Sequence, residues 1–104
     1  MRVVKISEQL RSKRVNWLLI DQLVRAATSI GANIVEGGNS VSKKEFINYF
    51  QIALKSSSET LYWLALLREI NLEIKDLNNL IQECLEIKKI ISTIILNTKA
   101  NSKF

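Results

Sequence analysis

The sequence of 104 residues contains no histidine and no proline. Histidine is the most common general base in enzymes and a frequent metal ligand, so its absence excludes His-containing catalytic triads and the Glu-x-x-His metal pairs of di-iron bundles. The carboxylates that remain have helix-end or surface explanations. We therefore expect no enzymatic activity, no metal site and no cofactor.

Cysteine occurs once, at Cys84. A lone cysteine forms no intramolecular disulfide and no multi-cysteine metal site, which favours a reducing compartment and a structural, core thiol. Purely apolar runs, such as residues 17–20, are far shorter than the roughly 20 residues of a membrane span. We expect a cytoplasmic protein without a membrane partner.

Helix-breaking residues are almost missing, because the only glycines are Gly31, Gly37 and Gly38. No stretch shows the apolar/polar alternation of a half-buried strand, so we expect an all-α protein. The chain length suits one domain, residues 1–104. The apolar periodicity predicts an antiparallel up-down four-helix bundle with a shortened first helix, its helices spanning about 2–10, 15–36, 42–70 and 74–97.

The start of the third helix carries several signals. Ser42 and Glu45 have the spacing of a capping box. In this motif the Ser42 side chain accepts a hydrogen bond from the Glu45 backbone amide, and the Glu45 side chain reaches back to the Ser42 backbone amide. Val41 and Phe46 flank it as a hydrophobic staple. The preceding Gly37 and Gly38 tolerate positive φ and are suited to turning the chain between helices.

Two polar residues, Asn33 and Glu36, lie near the end of the apolar second helix. One interpretation is a ligand contact. The interpretation we favour is structural, with both side chains holding the Gly37–Gly38 turn and the Ser42 helix start. Further along, Ser56, Ser57 and Ser58 interrupt the third helix with small side chains, which favours close helix packing over a phosphate site.

The second and third helices each carry an additional apolar stripe, and a first segment of about nine residues covers only part of the groove beside it. We expect neighbouring copies of the chain to cover these surfaces. The residues predicted at such an oligomer interface are Trp17, Ile20, Val24, Tyr49 and Trp63.

Residues 21–37 (DQLVRAATSIGANIVEG) resemble the bacterial four-helix-bundle proteins encoded in 23S ribosomal RNA intervening sequences. The resemblance continues through residues 42–46, 52–56 and 59–67. It extends more distantly to the accessory variability determinant of diversity-generating retroelements, a basic pentameric ring that associates with nucleic acid and a reverse transcriptase.

The resemblance implies a homopentamer, no enzyme activity, and a reverse transcriptase as a possible class of protein partner. The sequence departs from the family at its start, where the family has a first helix of some twenty residues.

The net charge of +5 is concentrated near the termini. In an up-down bundle two basic clusters form at opposite ends and would attract a phosphate backbone without sequence preference. We expect an accessory or adaptor protein that binds RNA or DNA. The alternatives are a protein-protein scaffold with basic ends that serve solubility, and membrane-surface association of residues 88–104. The predicted nucleic-acid-binding residues are Arg11, Lys13, Arg14, Lys43, Lys44, Lys99 and Lys103.

Overall fold

The computed structural model describes residues 3–4, 17–70 and 76–101. Three long helices account for most of them: α1 (Trp17–Gly38), α2 (Lys43–Ile70) and α3 (Leu77–Ala100). No strand occurs in these ranges, which confirms the all-helical prediction for the described part of the chain. The predicted helix 2–10 lies mostly outside the described residues. Within it only Val3 and Val4 are described, and both have helical backbone.

The central element is α2, which packs against α1 on one side and α3 on the other, while α1 and α3 have little contact with each other. The helices run antiparallel: Ser29 of α1 meets Ser56 of α2, and Lys43 at the start of α2 meets Lys99 near the end of α3. The result is an elongated molecule with principal extents of 50 × 19 × 17 Å. A groove is left between α1 and α3.

Among the described residues, two apolar clusters form the core. The larger one lies where α1 begins and α2 ends, and includes Ile20, Leu23 and Leu64, all fully buried. The smaller one surrounds Phe50 and Ile91 near the opposite end. Between them lie the buried polar residues of α2, Ser56, Ser57 and Thr60.

The connection between α1 and α2 differs from the prediction. Neither Gly37 nor Gly38 has a positive φ, and both belong to α1. Gly37 serves packing instead: a Cβ atom at this position would lie 2.7 Å from two ring carbons of Phe50. The Ser40 hydroxyl holds the turn by donating to the Gly37 carbonyl at 2.6 Å.

One of the two hydrogen bonds of the predicted capping box at Ser42 is confirmed. The Glu45 amide donates to the Ser42 hydroxyl at 3.1 Å, and the Phe46 amide donates to the Ser42 carbonyl at 3.0 Å. The predicted staple is wrong, because Val41 is 90% exposed. The Phe46 ring instead stacks on Phe50 with centroids 4.3 Å apart, so it packs along its own helix.

The start of α3 is three residues later than predicted, at Leu77 rather than Ile74. Asp76 precedes it with φ 67°, the one positive φ among the described residues. The left-handed cap predicted at Asn71 falls outside the described residues. At the other end α3 continues to Ala100, where the Asn101 amide donates to the carbonyls of Asn97 and Thr98.

By length and composition alone, α1 could also cross a bilayer. The core helix of a globular protein meets the same criterion. Here α1 buries Leu19, Ile20, Leu23 and Ala27 in the larger apolar cluster, against α2 and α3. Only 28% of its apolar window is buried, however, so packing within the described part of the subunit explains just part of its apolar character.

Candidate nucleic-acid interface

The end of the bundle where α2 begins and α3 ends gathers three of the predicted binding residues, which we call the basic end: Lys43, Lys44 and Lys99. The Lys43 ammonium group donates to the Lys99 carbonyl at 3.3 Å and to the Asn101 carbonyl at 2.5 Å. Lys44 and Lys99 are exposed. Lys103, predicted to join this cluster, lies outside the described residues, and so do Arg11, Lys13 and Arg14 of the opposite cluster.

The hydrogen bonds of Lys43 have an electrostatic cause. The last carbonyls of a helix have no partner within the helix and carry partial negative charge, which a nearby cation stabilises. Lys43 thereby ties the start of α2 to the end of α3. Its charge is partly compensated there, so Lys44 and Lys99 are the two residues of the basic end that offer the more available charge to a phosphate.

The polar residues predicted to hold the turn have different roles. The Asn33 amide group donates to the Ser29 carbonyl at 2.9 Å and to the Ser29 hydroxyl at 3.1 Å. Asn33 therefore supports the contact between Ser29 and Ser56, about two helical turns before the Gly37–Gly38 turn that it was predicted to hold. Glu36 is exposed. Sequence reasoning missed Ser29, whose spacing of four from Asn33 was the available signal.

The five predicted interface residues are distributed between surface and core. Trp17 is 56% exposed, and Val24, Tyr49 and Trp63 are half-buried. Ile20 is fully buried in the subunit's own core and has no surface for a second copy. Sequence reasoning did not include Leu18 and Ile70, which are 68% and 57% exposed.

Leu18, Trp63 and Ile70 lie together near the start of α1. A shallow cavity of about 490 Å³ lies between α1 and α2. We call it the Trp63 surface, and its lining residues are Leu18, Leu19, Gln22, Trp63, Leu66 and Ile70. Trp63, Leu66 and Ile70 are spaced by three and four residues, a helical pattern that could have identified them from the sequence.

A second cavity, of about 430 Å³, lies in the groove between α1 and α3. Its floor includes Thr60 and Leu64 of α2, and Val3 borders it. A groove left open beside the short first segment was expected from the sequence. The walls are mainly apolar and include Ile30, Gly31, Ile34, Leu80, Cys84 and Ile87.

The described residues contain no group of three or more His, Cys, Asp or Glu side chains that could hold a metal ion. Cys84 is buried, as predicted, and donates to the Ser57 carbonyl at 3.6 Å. Burial raises the pKa of its thiol, and the nearby Lys88 lowers it by less. A thiol held protonated is a poor nucleophile.

Comparison with known proteins places these features in a family. The family model described as 23S rRNA-intervening sequence protein matches residues 1–93. The chain is also similar to a crystal structure of a protein with unknown function from the S23 ribosomal protein family of Bacteroides thetaiotaomicron VPI-5482. The two share 36% sequence identity with a TM-score of 0.83, over 90% of this chain and 88% of that one. Curated proteins gave no match.

Proposed function

Since this chain belongs to the 23S rRNA-intervening sequence protein family, we propose that it is a non-enzymatic, oligomeric accessory protein that binds nucleic acid. The observation that carries the proposal is the convergence of Lys43, Lys44 and Lys99, where Lys43 bonds the last turn of α3. That bond holds the exposed Lys44 and Lys99 at one end of a rigid bundle.

Such an end suits a phosphate backbone. Lysine ammonium groups neutralise phosphates and release counterions, which gives affinity that falls steeply with salt and carries little sequence information. Phe46, an aromatic residue one turn from Lys43, is stacked on Phe50. Base stacking is therefore a minor contribution in the described part of the basic end, and we expect binding to RNA and DNA alike.

Oligomerisation strengthens this binding in our proposal. Residues 2–10 complete a four-helix bundle, and the Trp63 surface packs against a neighbouring copy to form a homopentamer. Each copy then presents its own basic end, and linked weak contacts bind more tightly than isolated ones. Arg11, Lys13, Arg14 and Lys103 add charge to the two ends. The partner in the cell is nucleic acid in the cytoplasm, with a reverse transcriptase as the class of protein partner that the resemblance suggests.

The test is a titration of labelled RNA and DNA at several salt concentrations. Lys44→Gln combined with Lys99→Gln should weaken binding and flatten the dependence of log K on log salt, by about one for each phosphate contact removed. Lys55→Gln with Lys89→Gln removes the same charge from exposed sites far from the basic end and should have little effect. Equal affinity of the basic-end variant and the parent would refute the proposal.

A second candidate, a scaffold that binds only proteins, is favoured by the exposed Trp17, Leu18 and Ile70. Large apolar patches on a protein surface commonly mark interaction sites. Absence of a salt-dependent nucleic-acid shift with the parent protein would select this function. Light scattering tests the assembly separately: a solution mass equal to the 11.9 kDa of one chain would exclude the pentamer.

A further inference from the structure

The basic end is a blunt surface made of three helix ends. The start of α2 lies between the other two helices, because Gly37 of α1 packs on Phe50 and Lys43 bonds the last turn of α3. The bundle measures 19 × 17 Å across, whereas the major groove of a duplex is about 12 Å wide. The described part of this end therefore has no projecting helix that could read base edges, and the contact that remains is with the phosphate backbone.

The aromatic rings near the basic end pack within the subunit. Phe46 and Phe50 stack with ring centroids 4.3 Å apart and planes at 17°. Phe50 is 6% exposed, and Tyr49 is half-buried. Proteins that bind single strands without sequence preference gain affinity by stacking successive bases on aromatic side chains. The described residues of the basic end offer no fully exposed ring for such stacking.

The cations of the basic end are held in place by the backbone. The bonds from Lys43 to the carbonyls of Lys99 and Asn101 fix the end of α3 against the start of α2. A preorganised array of charges binds a stiff polyanion with little ordering cost, whereas a flexible strand loses conformational freedom on binding. A duplex also carries one charge per about 1.7 Å of its axis and releases more counterions per phosphate contact than a single strand does.

Two carboxylates determine which side of the basic end attracts phosphate. Glu36 in the last turn of α1 and Glu45 in the first turn of α2 are exposed. The last turn of α1 has no basic residue, whereas the last turn of α3 has Lys99. Phosphates are therefore repelled on the α1 side of this end and attracted on the side where α2 meets α3.

We propose, in an inference that rests on the proposed function, that the basic end binds double-stranded nucleic acid in preference to single strands. Lys44 and Lys99 contact phosphates of the duplex backbone on the side where α2 meets α3. The described residues contact neither base edges nor base faces, so duplex RNA and duplex DNA both bind. The preference comes from the density and stiffness of the phosphate charges.

The test is a fluorescence anisotropy titration of the full chain with a labelled duplex of mixed sequence and with each of its separated strands, in RNA and in DNA. At about 50 mM salt the duplex should bind about fivefold or more tightly than either strand. The dependence of log K on log salt should be about 0.9 per phosphate contact for the duplex and about 0.7 for the strands. Lys44→Gln combined with Lys99→Gln should lower the affinity for the duplex more than the affinity for the strands.

Aromatic variants test the absence of stacking. Phe46→Leu removes a ring one turn from Lys43 and keeps the position apolar, and Phe104→Leu makes the same change at the terminal residue, which lies outside the described part. Both should leave the affinity for single strands unchanged, with circular dichroism confirming that the variants stay helical. Loss of single-strand affinity in either variant would show that bases stack on the protein and would contradict a site that works by charge alone.

The outcomes separate the duplex preference from the function on which it rests. If single strands bind as tightly as the duplex while the Lys44 and Lys99 changes still weaken binding, the basic end binds nucleic acid but the duplex preference is wrong. If no probe binds in a salt-dependent manner, or if that double variant binds as the parent does, the proposed function fails as well. A duplex preference that persists unaltered in the double variant would locate the duplex site elsewhere and overturn the proposal.

Discussion

The hydroxyl groups of Ser29 and Ser56 lie 2.8 Å apart across the contact between α1 and α2. This hydrogen bond connects two helices in the gap between the two apolar clusters of the core. Asn33 supports it from the next turn of α1, and Thr60 donates to the Ser56 carbonyl from α2. Every buried side-chain polar atom in the described residues has a partner, so this polar layer is satisfied within the subunit.

The Ser29–Ser56 bond should couple the two helices measurably. Ser29→Ala leaves the buried Ser56 hydroxyl without this partner, which should cost about 1–3 kcal/mol of unfolding free energy. Ser56→Ala should cost less, because the half-buried Ser29 hydroxyl still accepts from Asn33. The double variant removes both groups and should cost less than the sum of the single changes, with a coupling energy of about 0.5–1.5 kcal/mol. Urea unfolding of the four proteins measures this. Strict additivity would show that the bond contributes nothing.

Gly37→Ala should destabilise the bundle by about 1–3 kcal/mol, the usual effect of overpacking. The added methyl group would lie 2.7 Å from the Phe50 ring and 3.2 Å from the Tyr49 Cβ atom, so either the ring or α2 must move. Thermal and urea unfolding provide the measurement. Phe50→Leu in the Gly37→Ala background should recover part of the loss, because it removes the ring from the collision.

Gly38→Ala is the control for that change, one residue further along the same helix. A Cβ atom at this position meets nothing within 4 Å, and the residue is helical. The substitution should be neutral or stabilising by up to about 1 kcal/mol, the difference in helix propensity between the two residues. Equal destabilisation by both substitutions would mean that backbone freedom, rather than the Phe50 contact, explains Gly37.

Lys43→Gln should loosen the end of α3, although the residue itself lies on α2. Its ammonium group donates to the carbonyls of Lys99 and Asn101, and a cation at this position of a helix contributes about 0.3–1 kcal/mol. Hydrogen exchange should therefore accelerate in the last turn of α3. Lys44→Gln, an adjacent change of the same charge, should leave that exchange unaltered, and similar acceleration in both variants would contradict the role of Lys43.

The sequence was sufficient for the helices of the described part because their determinants are local. Apolar spacing and the absence of proline predicted three helices whose ends the structure moves by at most three residues. Ser42 was recognised as a helix start for the same reason, since its bond to the Glu45 amide spans one turn. Helix periodicity needs no knowledge of neighbouring elements.

Features that depend on tertiary contacts were not predicted correctly. Glycine is common in turns, but the role of Gly37 is determined by the Phe50 ring of another helix. Val41 has the spacing of a hydrophobic staple, yet the Phe46 ring stacks on Phe50 and Val41 is exposed. Ile20 was assigned to an interface because two apolar stripes on one helix cannot be ranked until a partner helix covers one of them.

Cys84 should make stability fall at alkaline pH. Burial is the larger influence and raises the pKa of the thiol, while Lys88 opposes it. The unfolded chain then loses this proton at lower pH than the folded protein, so the unfolded state binds fewer protons above about pH 8.5 and unfolding becomes easier as pH rises. Urea unfolding from pH 7 to pH 10 measures the slope. Cys84→Ala removes the titrating group and should flatten this part of the profile, and an identical slope in both proteins would show that other groups cause it.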